Sequence, residues 1–218
     1  MVSPSLRSVI GITLSTLLLA CNNAPQKDLP FIGNHTINKD TVNGEVVTDT
    51  LLFKVPHFEF TDQHGQAFSS HEHLKGKTHV AYFFFTSCPS ICFQMTKQMK
   101  RVQDMTERLK NFEIVGFTVD PKRDNPERLL EYAHKFDAKT NKWHFLTGVA
   151  DSIYHLGWNG YVVGMGKNDS APGGFIHSER FILVDKDMHI RGMYDGTSAA
   201  EVATLVKDAE RLIDSYKP

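Results

Sequence analysis

Tyr82-Phe83-Phe84-Phe85-Thr86-Ser87-Cys88-Pro89-Ser90-Ile91-Cys92-Phe93-Gln94-Met95 reads as a buried strand, a tight turn, two cysteines and the start of a helix. The cysteines have three residues between them. Two thiols at a strand-to-helix turn can carry electrons as a dithiol/disulfide pair, or they can hold a soft metal ion. Both uses need thiolates, and a helix N-terminus favours thiolates because its free N–H groups carry partial positive charge. The bland alternative is a structural disulfide or a pair of buried thiols. Two cysteines at the very start of a helix are poorly placed for that role.

The flanking pattern sets the fold class. Residues 79–85 are apolar on both faces, which predicts a central strand covered on both sides. Beyond Pro89, the residues Cys92, Met95, Met99, Val102, Met105 and Leu109 recur at spacings of three and four and predict one buried helix face. That spacing assigns the methionines to the core rather than to a metal. Residues 112–119 read as a second buried strand, ended by Asp120-Pro121. Asn125 before Pro126 is an N-cap with proline at the first helical position, and Leu129, Leu130, Ala133 and Phe136 supply the apolar face. A short strand over 143–146 and a short helix over 149–156 follow.

Residues 160–176 hold five glycines and one proline. They read as a long loop carrying Met165, of a length that often serves function. Strands over 181–184 and 190–194 flank the turn Asp185-Lys186-Asp187 as a late β-hairpin. Ser198-Ala199-Ala200-Glu201 is a capping box, and Val202, Leu205, Val206, Ala209, Leu212 and Ile213 mark an amphipathic last helix. Early crossover units give parallel strands and the late hairpin gives antiparallel ones. The result is α/β, with a mixed central sheet flanked by helices. A redox-like cysteine pair after the first central strand makes it a thioredoxin-like fold.

Toward the N-terminus, Val46, Val47, Leu51, Phe53 and Val55 suggest strand pieces, Asn43-Gly44 is a turn signal, and Phe58-Glu59-Phe60-Thr61-Asp62-Gln63-His64-Gly65 looks like a strand entering a turn; the region is expected to add a hairpin to the main sheet. His71-Glu72-His73 pairs two histidines, but nothing nearby completes a metal site and a solvated turn is the better reading. Residues 1–20 read as a signal peptide. Arg7 is the only charge before Cys21, and the apolar run over 9–19 is too short for a comfortable membrane span. Leu18-Leu19-Ala20-Cys21 resembles the lipobox of bacterial lipoproteins. That resemblance implies cleavage before Cys21, lipid on its thiol, and a domain held at a membrane of the bacterial cell envelope, facing the periplasm or other extracytoplasmic space. Residues 21–54 are then a tether and N-terminal β extension, and 55–218 the folded domain. The formal net charge of −1 leaves no basic surplus for nucleic acid, and 41 % hydrophobic residues predict a packed domain. A monomer is expected.

Three blocks resemble the Sco (SenC) family of copper proteins, which help assemble the CuA centre of cytochrome c oxidase. Phe84-Phe85-Thr86-Ser87-Cys88-Pro89-Ser90-Ile91-Cys92 is similar to the family's copper motif, Cys-Pro-x-x-Cys. Phe117-Thr118-Val119-Asp120-Pro121-Lys122-Arg123-Asp124 is similar to its second block. His177-Ser178-Glu179-Arg180-Phe181-Ile182-Leu183-Val184-Asp185 is similar to its third, which opens with a metal-binding histidine. The chain departs from the usual pattern at Ser90 and Phe93, neither of them a ligand. The resemblance implies copper, Cu(I) or Cu(II), on Cys88, Cys92 and His177. Two thiolates suit Cu(I), and an added imidazole suits Cu(II), which takes more ligands. Asp120 matches a family acid near the copper; its own sequence context assigns it to ending a strand and setting a turn.

Two functions follow from the resemblance. One is a copper metallochaperone for the CuA-bearing subunit of cytochrome c oxidase, or another periplasmic copper or thiol protein. The other is a thiol–disulfide oxidoreductase that cycles Cys88 and Cys92 through a disulfide. The three-residue gap favours metal and a binding protein over an enzyme, although cysteines four apart on a helix have Cα atoms about 6 Å apart, within bridging range. The Thr86-x-Cys88 run faintly suggests a peroxidase of the same fold, but it is one residue short of the peroxidatic pattern.

Overall fold

The computed structural model describes residues 28–43, 45–89 and 91–216. Residues 1–20, read from the sequence as a signal peptide, and Cys21 lie outside the described residues. In chain order the elements are β1 (Thr36–Val42), β2 (Glu45–Leu51), β3 (Glu59–Thr61), β4 (Ala67–Ser69) and α1 (Ser70–His73). They continue with β5 (Thr78–Phe84), α2 (Ile91–Met105), β6 (Phe112–Thr118), α3 (Pro126–Lys135), β7 (Trp143–Leu146) and α4 (Ala150–His155). The last are β8 (Met165–Lys167), β9 (Phe175–His177), β10 (Arg180–Val184), β11 (Ile190–Asp195) and α5 (Ala199–Ser215).

The central sheet runs β11-β10-β5-β6-β7. β5, β6 and β7 are parallel, joined through α2 and α3. β10 is antiparallel to both β5 and β11. Every residue of β5 and β6 is buried, because aromatic layers cover both faces. Alternate residues of a strand point to opposite faces. Thus Phe84 stacks on Tyr132 of α3, with ring centroids 5.4 Å apart, while Phe83 meets Tyr161 on the other side at 5.8 Å. The mixed α/β sheet read from the sequence is the one observed.

α3 starts as its sequence dictates: the Asn125 side chain accepts from the Arg128 N–H at 2.9 Å. α2 buries Cys92, Met95, Met99 and Val102, but Met105 is 42 % exposed. At 3.6 residues per turn each step of three lags the helix by about 60°, so a run of such steps rotates off the buried face. Thr106 sits there instead, fully buried, with its hydroxyl donating to the Val102 carbonyl at 2.7 Å. The capping box at α5 is half formed. Ser198 Oγ accepts from the Glu201 N–H at 3.3 Å, but the Glu201 carboxylate takes the Asp195 N–H at 2.6 Å.

Two expectations about the strands and loops also need correction. The N-terminal hairpin forms, but β1 and β2 pair with each other and not with the main sheet. Every residue of β2 is exposed, because Glu45, Thr48, Asp49 and Thr50 leave neither face apolar enough to bury. The β11 edge is met instead by Ile32, in a bridge to Ile190, and by Leu29 and Pro30, whose carbonyls accept from Arg191 at 2.7 and 3.0 Å. The second correction concerns the glycine-rich loop. β8 and β9 make it an antiparallel hairpin, with Met165 opposite His177.

Candidate metal centre

The site forms at the C-terminal end of β5. Because β10 runs antiparallel to β5, the residues just before β10 arrive at the same edge of the sheet. His177, the last residue of β9, therefore stands beside the cysteine turn although 85 residues separate it from Cys92. The ligand atoms of Cys88, Cys92 and His177 all lie within 4.8 Å of one another. His177 Nε2 is 2.7 Å from Cys92 Sγ.

Cys92 sits in the first turn of α2, is buried, and lies one turn of chain beyond Cys88. Cys88 precedes the helix, is half-buried, and donates its backbone N–H to the Phe85 carbonyl at 3.3 Å. Both are reduced thiols. The expected helix-terminus effect on thiolate formation does not dominate at Cys92. Burial, and then the hydrogen bond with the Cys88 thiol, push the Cys92 thiol well above the usual cysteine range. The protonated form is therefore favoured until a cation replaces the proton.

The His177 ring is oriented by its own chain. Its Nδ1 lies 3.1 Å from the Ser178 carbonyl, which can only accept, so the proton belongs on Nδ1 and Nε2 keeps its lone pair toward Cys92. A second partner that fixes the tautomer is the usual arrangement behind a metal-binding histidine. The Phe85 ring meets the imidazole edge-on, centroids 5.9 Å apart. The β8–β9 hairpin is seated on the cysteine turn: a Cβ at Gly173 would lie 2.7 Å from the Phe85 ring and 3.2 Å from Pro89 Cδ. Gly173 also has φ of +79°, open to glycine without strain. Met165 is buried and packs against Gly157, so it belongs to the core.

Asp120 is buried, and its bonds run within its own loop. Its N–H donates to Thr118 Oγ1 at 3.0 Å and its carbonyl accepts from the Arg123 and Asp124 N–H groups. Burial raises its carboxyl pKa, opposed by Arg123. The turn-setting role read from the sequence fits these bonds. The acid that reaches the cysteine turn is Asp124, which bonds Thr86. The sequence reading quoted both residues but did not join them. A buried polar contact across 38 residues leaves no periodic mark; the second acid four residues after Asp120 was the available signal. His71 and His73 do not form a centre. His71 stacks on His57, centroids 4.1 Å apart, and His73 bonds the Ser69 carbonyl. A cavity of about 630 Å³ lined by Pro56, His57, Phe60, Asp151 and His155 lies apart from the thiols.

The SCO1/SenC family model matches residues 49–214. The chain belongs to the SCO1/SenC family. The fold is accordingly the thioredoxin-like fold of Sco proteins. A SCO2-like protein of Rickettsia typhi is 32 % identical over 214 residues, 94 % of each chain. A SCO1/SenC family lipoprotein from Bacillus anthracis is 33 % identical with a TM-score of 0.68, over 73 % of this chain and 94 % of that one. BsSco, a member of the Sco family of cytochrome c oxidase assembly proteins in which a disulfide switch was identified, is 28 % identical with a TM-score of 0.66, over 76 % and 95 %. Yeast Sco1 with copper bound shares the fold at 24 % identity and a TM-score of 0.61, over 76 % and 91 %.

The donor set fits a copper cargo on chemical grounds. Two thiolates and one imidazole with a free Nε2 lone pair are soft and borderline ligands. They suit Cu(I) with the thiolates and Cu(II) with the imidazole added.

Proposed function

We propose that the chain is a copper chaperone of the bacterial cell envelope that holds copper on Cys88, Cys92 and His177 and delivers it to the CuA site of cytochrome c oxidase. The convergence of two thiols and one imidazole within 4.8 Å carries the reading. Membership of the family supports it, as do the assembly role described for BsSco and the copper bound to yeast Sco1. In this reading residues 1–20 are a signal peptide, Cys21 is lipidated, residues 21–54 reach from the membrane and 55–218 are the working domain. The lipoprotein from Bacillus anthracis supports the anchor. No helix among the described residues is long and apolar enough to cross a membrane.

The residues divide the work. Cys88, half-exposed, is the ligand within reach of incoming cargo or a partner thiol. Cys92 supplies the second sulfur from the buried side. His177 adds the ligand that Cu(II) requires, from a hairpin separate from the cysteine turn. Movement of that hairpin would let the imidazole join or leave. Apo and copper-loaded crystals with one unchanged, ordered hairpin would sink that last step.

The test is a copper titration of the reduced chain under argon, followed by Cu(II) absorption and electron paramagnetic resonance, with His177→Ala alongside. A 1:1 complex with sulfur-to-copper charge transfer, altered in the variant, is the expected result. Absence of tight binding, with rapid disulfide exchange with a partner, overturns it in favour of a second reading. That reading, a thiol–disulfide oxidoreductase forming a Cys88–Cys92 disulfide, is favoured by one observation. The pair has a half-exposed member and a buried member, as an attacking and a resolving thiol require.

A further inference from the structure

The turn that carries Cys88 is tied down two residues earlier. The Thr86 backbone N–H donates to Asp124 Oδ2 at 3.0 Å and its hydroxyl donates to Asp124 Oδ1 at 2.5 Å. Thr118, at the end of β6, donates its hydroxyl to the same Oδ2 at 2.5 Å. Arg128, in the first turn of α3, donates Nε to the Thr86 hydroxyl oxygen at 2.8 Å, and that Nε lies 3.9 Å from Asp124 Oδ1. Asp124 is completely buried.

A carboxylate taken wholly out of water is destabilising unless its oxygens find donors. Here three donors meet two oxygens, and two of the three come from Thr86. An apolar side chain would fill the same space without desolvating a charge. What the carboxylate adds is a fixed position for Thr86 relative to β6, and hence for the start of the turn through Ser87 to Cys88.

We infer that Asp124 is the positioning residue of the metal centre, acting through Thr86 to hold Cys88 in register with Cys92 and His177, with Arg128 closing the bridge from α3. The inference rests on the Cys88–Cys92–His177 reading for what is positioned. It makes no contact between Asp124 and the cargo. A carboxylate that served stability alone would depend on Thr118 as much as on Thr86. A positioning carboxylate transmits to the thiols through Thr86.

The experiment measures two properties of the full-length protein: the equilibrium between the Cys88/Cys92 dithiol and its disulfide against glutathione, which needs no copper, and the Cu(II) charge-transfer spectrum. Asp124→Asn and Thr86→Val should each shift the glutathione equilibrium by roughly tenfold or more, as expected for losing a hydrogen bond to a buried charge. Both should also alter the copper spectrum. Thr86→Ser, which keeps the hydroxyl, should restore wild-type values. Thr118→Val should lower Tm while leaving the equilibrium within about twofold of wild type. The double variant Asp124→Asn/Thr86→Val should be no worse than the worse single one, because the two act as a unit. If Asp124→Asn does not fold, the half-exposed Arg128→Gln carries the test, with an expected shift of about threefold. An equilibrium unmoved by Thr86→Val and Arg128→Gln, or moved equally by Thr118→Val, overturns the proposal. If the wild-type protein takes up no copper, the copper reading fails by itself and the glutathione arm still decides whether Asp124 positions the thiols.

Discussion

Cys88 and Cys92 share one motif but not one environment. The first is half-exposed and the second buried with its proton held tightly. Alkylation of the reduced protein should therefore modify Cys88 at least ~10-fold faster than Cys92, because the thiolate is the reactive form and access is needed. Peptide mapping after brief iodoacetamide treatment reads this directly, and equal labelling would contradict the asymmetry. His79 makes a second residue-scale prediction. It is fully buried on β5, its Nε2 3.2 Å from the Tyr161 hydroxyl, and its Nδ1 has no partner. Burial lowers its pKa to about 3. Above the unfolded value near 6.5 both states are neutral and stability is complete; below it the unfolded chain takes up a proton that the folded one refuses. Stability should fall as pH drops toward 3, by about 2 kcal/mol at pH 5 from this group alone. Urea unfolding at pH 7 and pH 5 measures it, and His79→Gln should flatten the difference. Cys88 and Cys92 were legible in the sequence from two thiols at a strand-to-helix turn, and His177 from the resemblance of the block it opens to the family's third motif. Asp124 was not, because its meaning lies in Thr86, 38 residues away.

At the scale of elements, the β8–β9 hairpin controls how His177 meets the thiols. Gly173 has positive φ and its Cα faces the Phe85 ring and Pro89. Gly173→Ala brings both backbone strain and a clash and should lift the hairpin off the turn. We expect Cu(II) binding to weaken by roughly tenfold or more, given a strain of about 1–3 kcal/mol, with Cu(I) binding on the two sulfurs little changed. Parallel titrations of the two oxidation states check it; equal loss in both would place the effect in the cysteines. Helices α2, α3 and α5 were readable because a long period-3.6 pattern averages over many residues. The hairpin was not. Strands of three residues among five glycines are too short to show alternation, and β9 is held by pairing with β8 rather than by its own pattern.

For the whole molecule, the chain leaves the domain at Gly33 and returns at Phe53, whose ring lies against Gly33. The Phe53 N–H donates to His35 Nδ1 at 3.0 Å, closing the base of the excursion. Replacing residues 36–51 with a short Gly-Ser linker should leave Tm within a few degrees and copper stoichiometry unchanged, because β1–β2 buries little and loop closure depends weakly on length. A large loss of Tm would show that the hairpin packs on the domain. Removing residues 28–33 should do more harm, since Ile32 and the Arg191 bonds cover the β11 edge. The sequence misled here in one respect. Strand-forming residues on either side of an Asn-Gly turn specify a hairpin but not its docking partner, which is set by how much apolar area its faces can bury.

The 85-residue interval between Cys92 and His177 gives the cargo a second effect. An ion held by both residues closes a large covalent circuit, whereas a Cys88–Cys92 disulfide closes a circuit of a few residues. Constraint of the unfolded chain grows with circuit size and reaches on the order of 4 kcal/mol for one this long. Loaded protein should therefore outlast both the empty and the oxidised forms against a protease that cuts unfolded chains. On the proposed reading, lifetime under such a protease would itself report whether the chain is carrying metal.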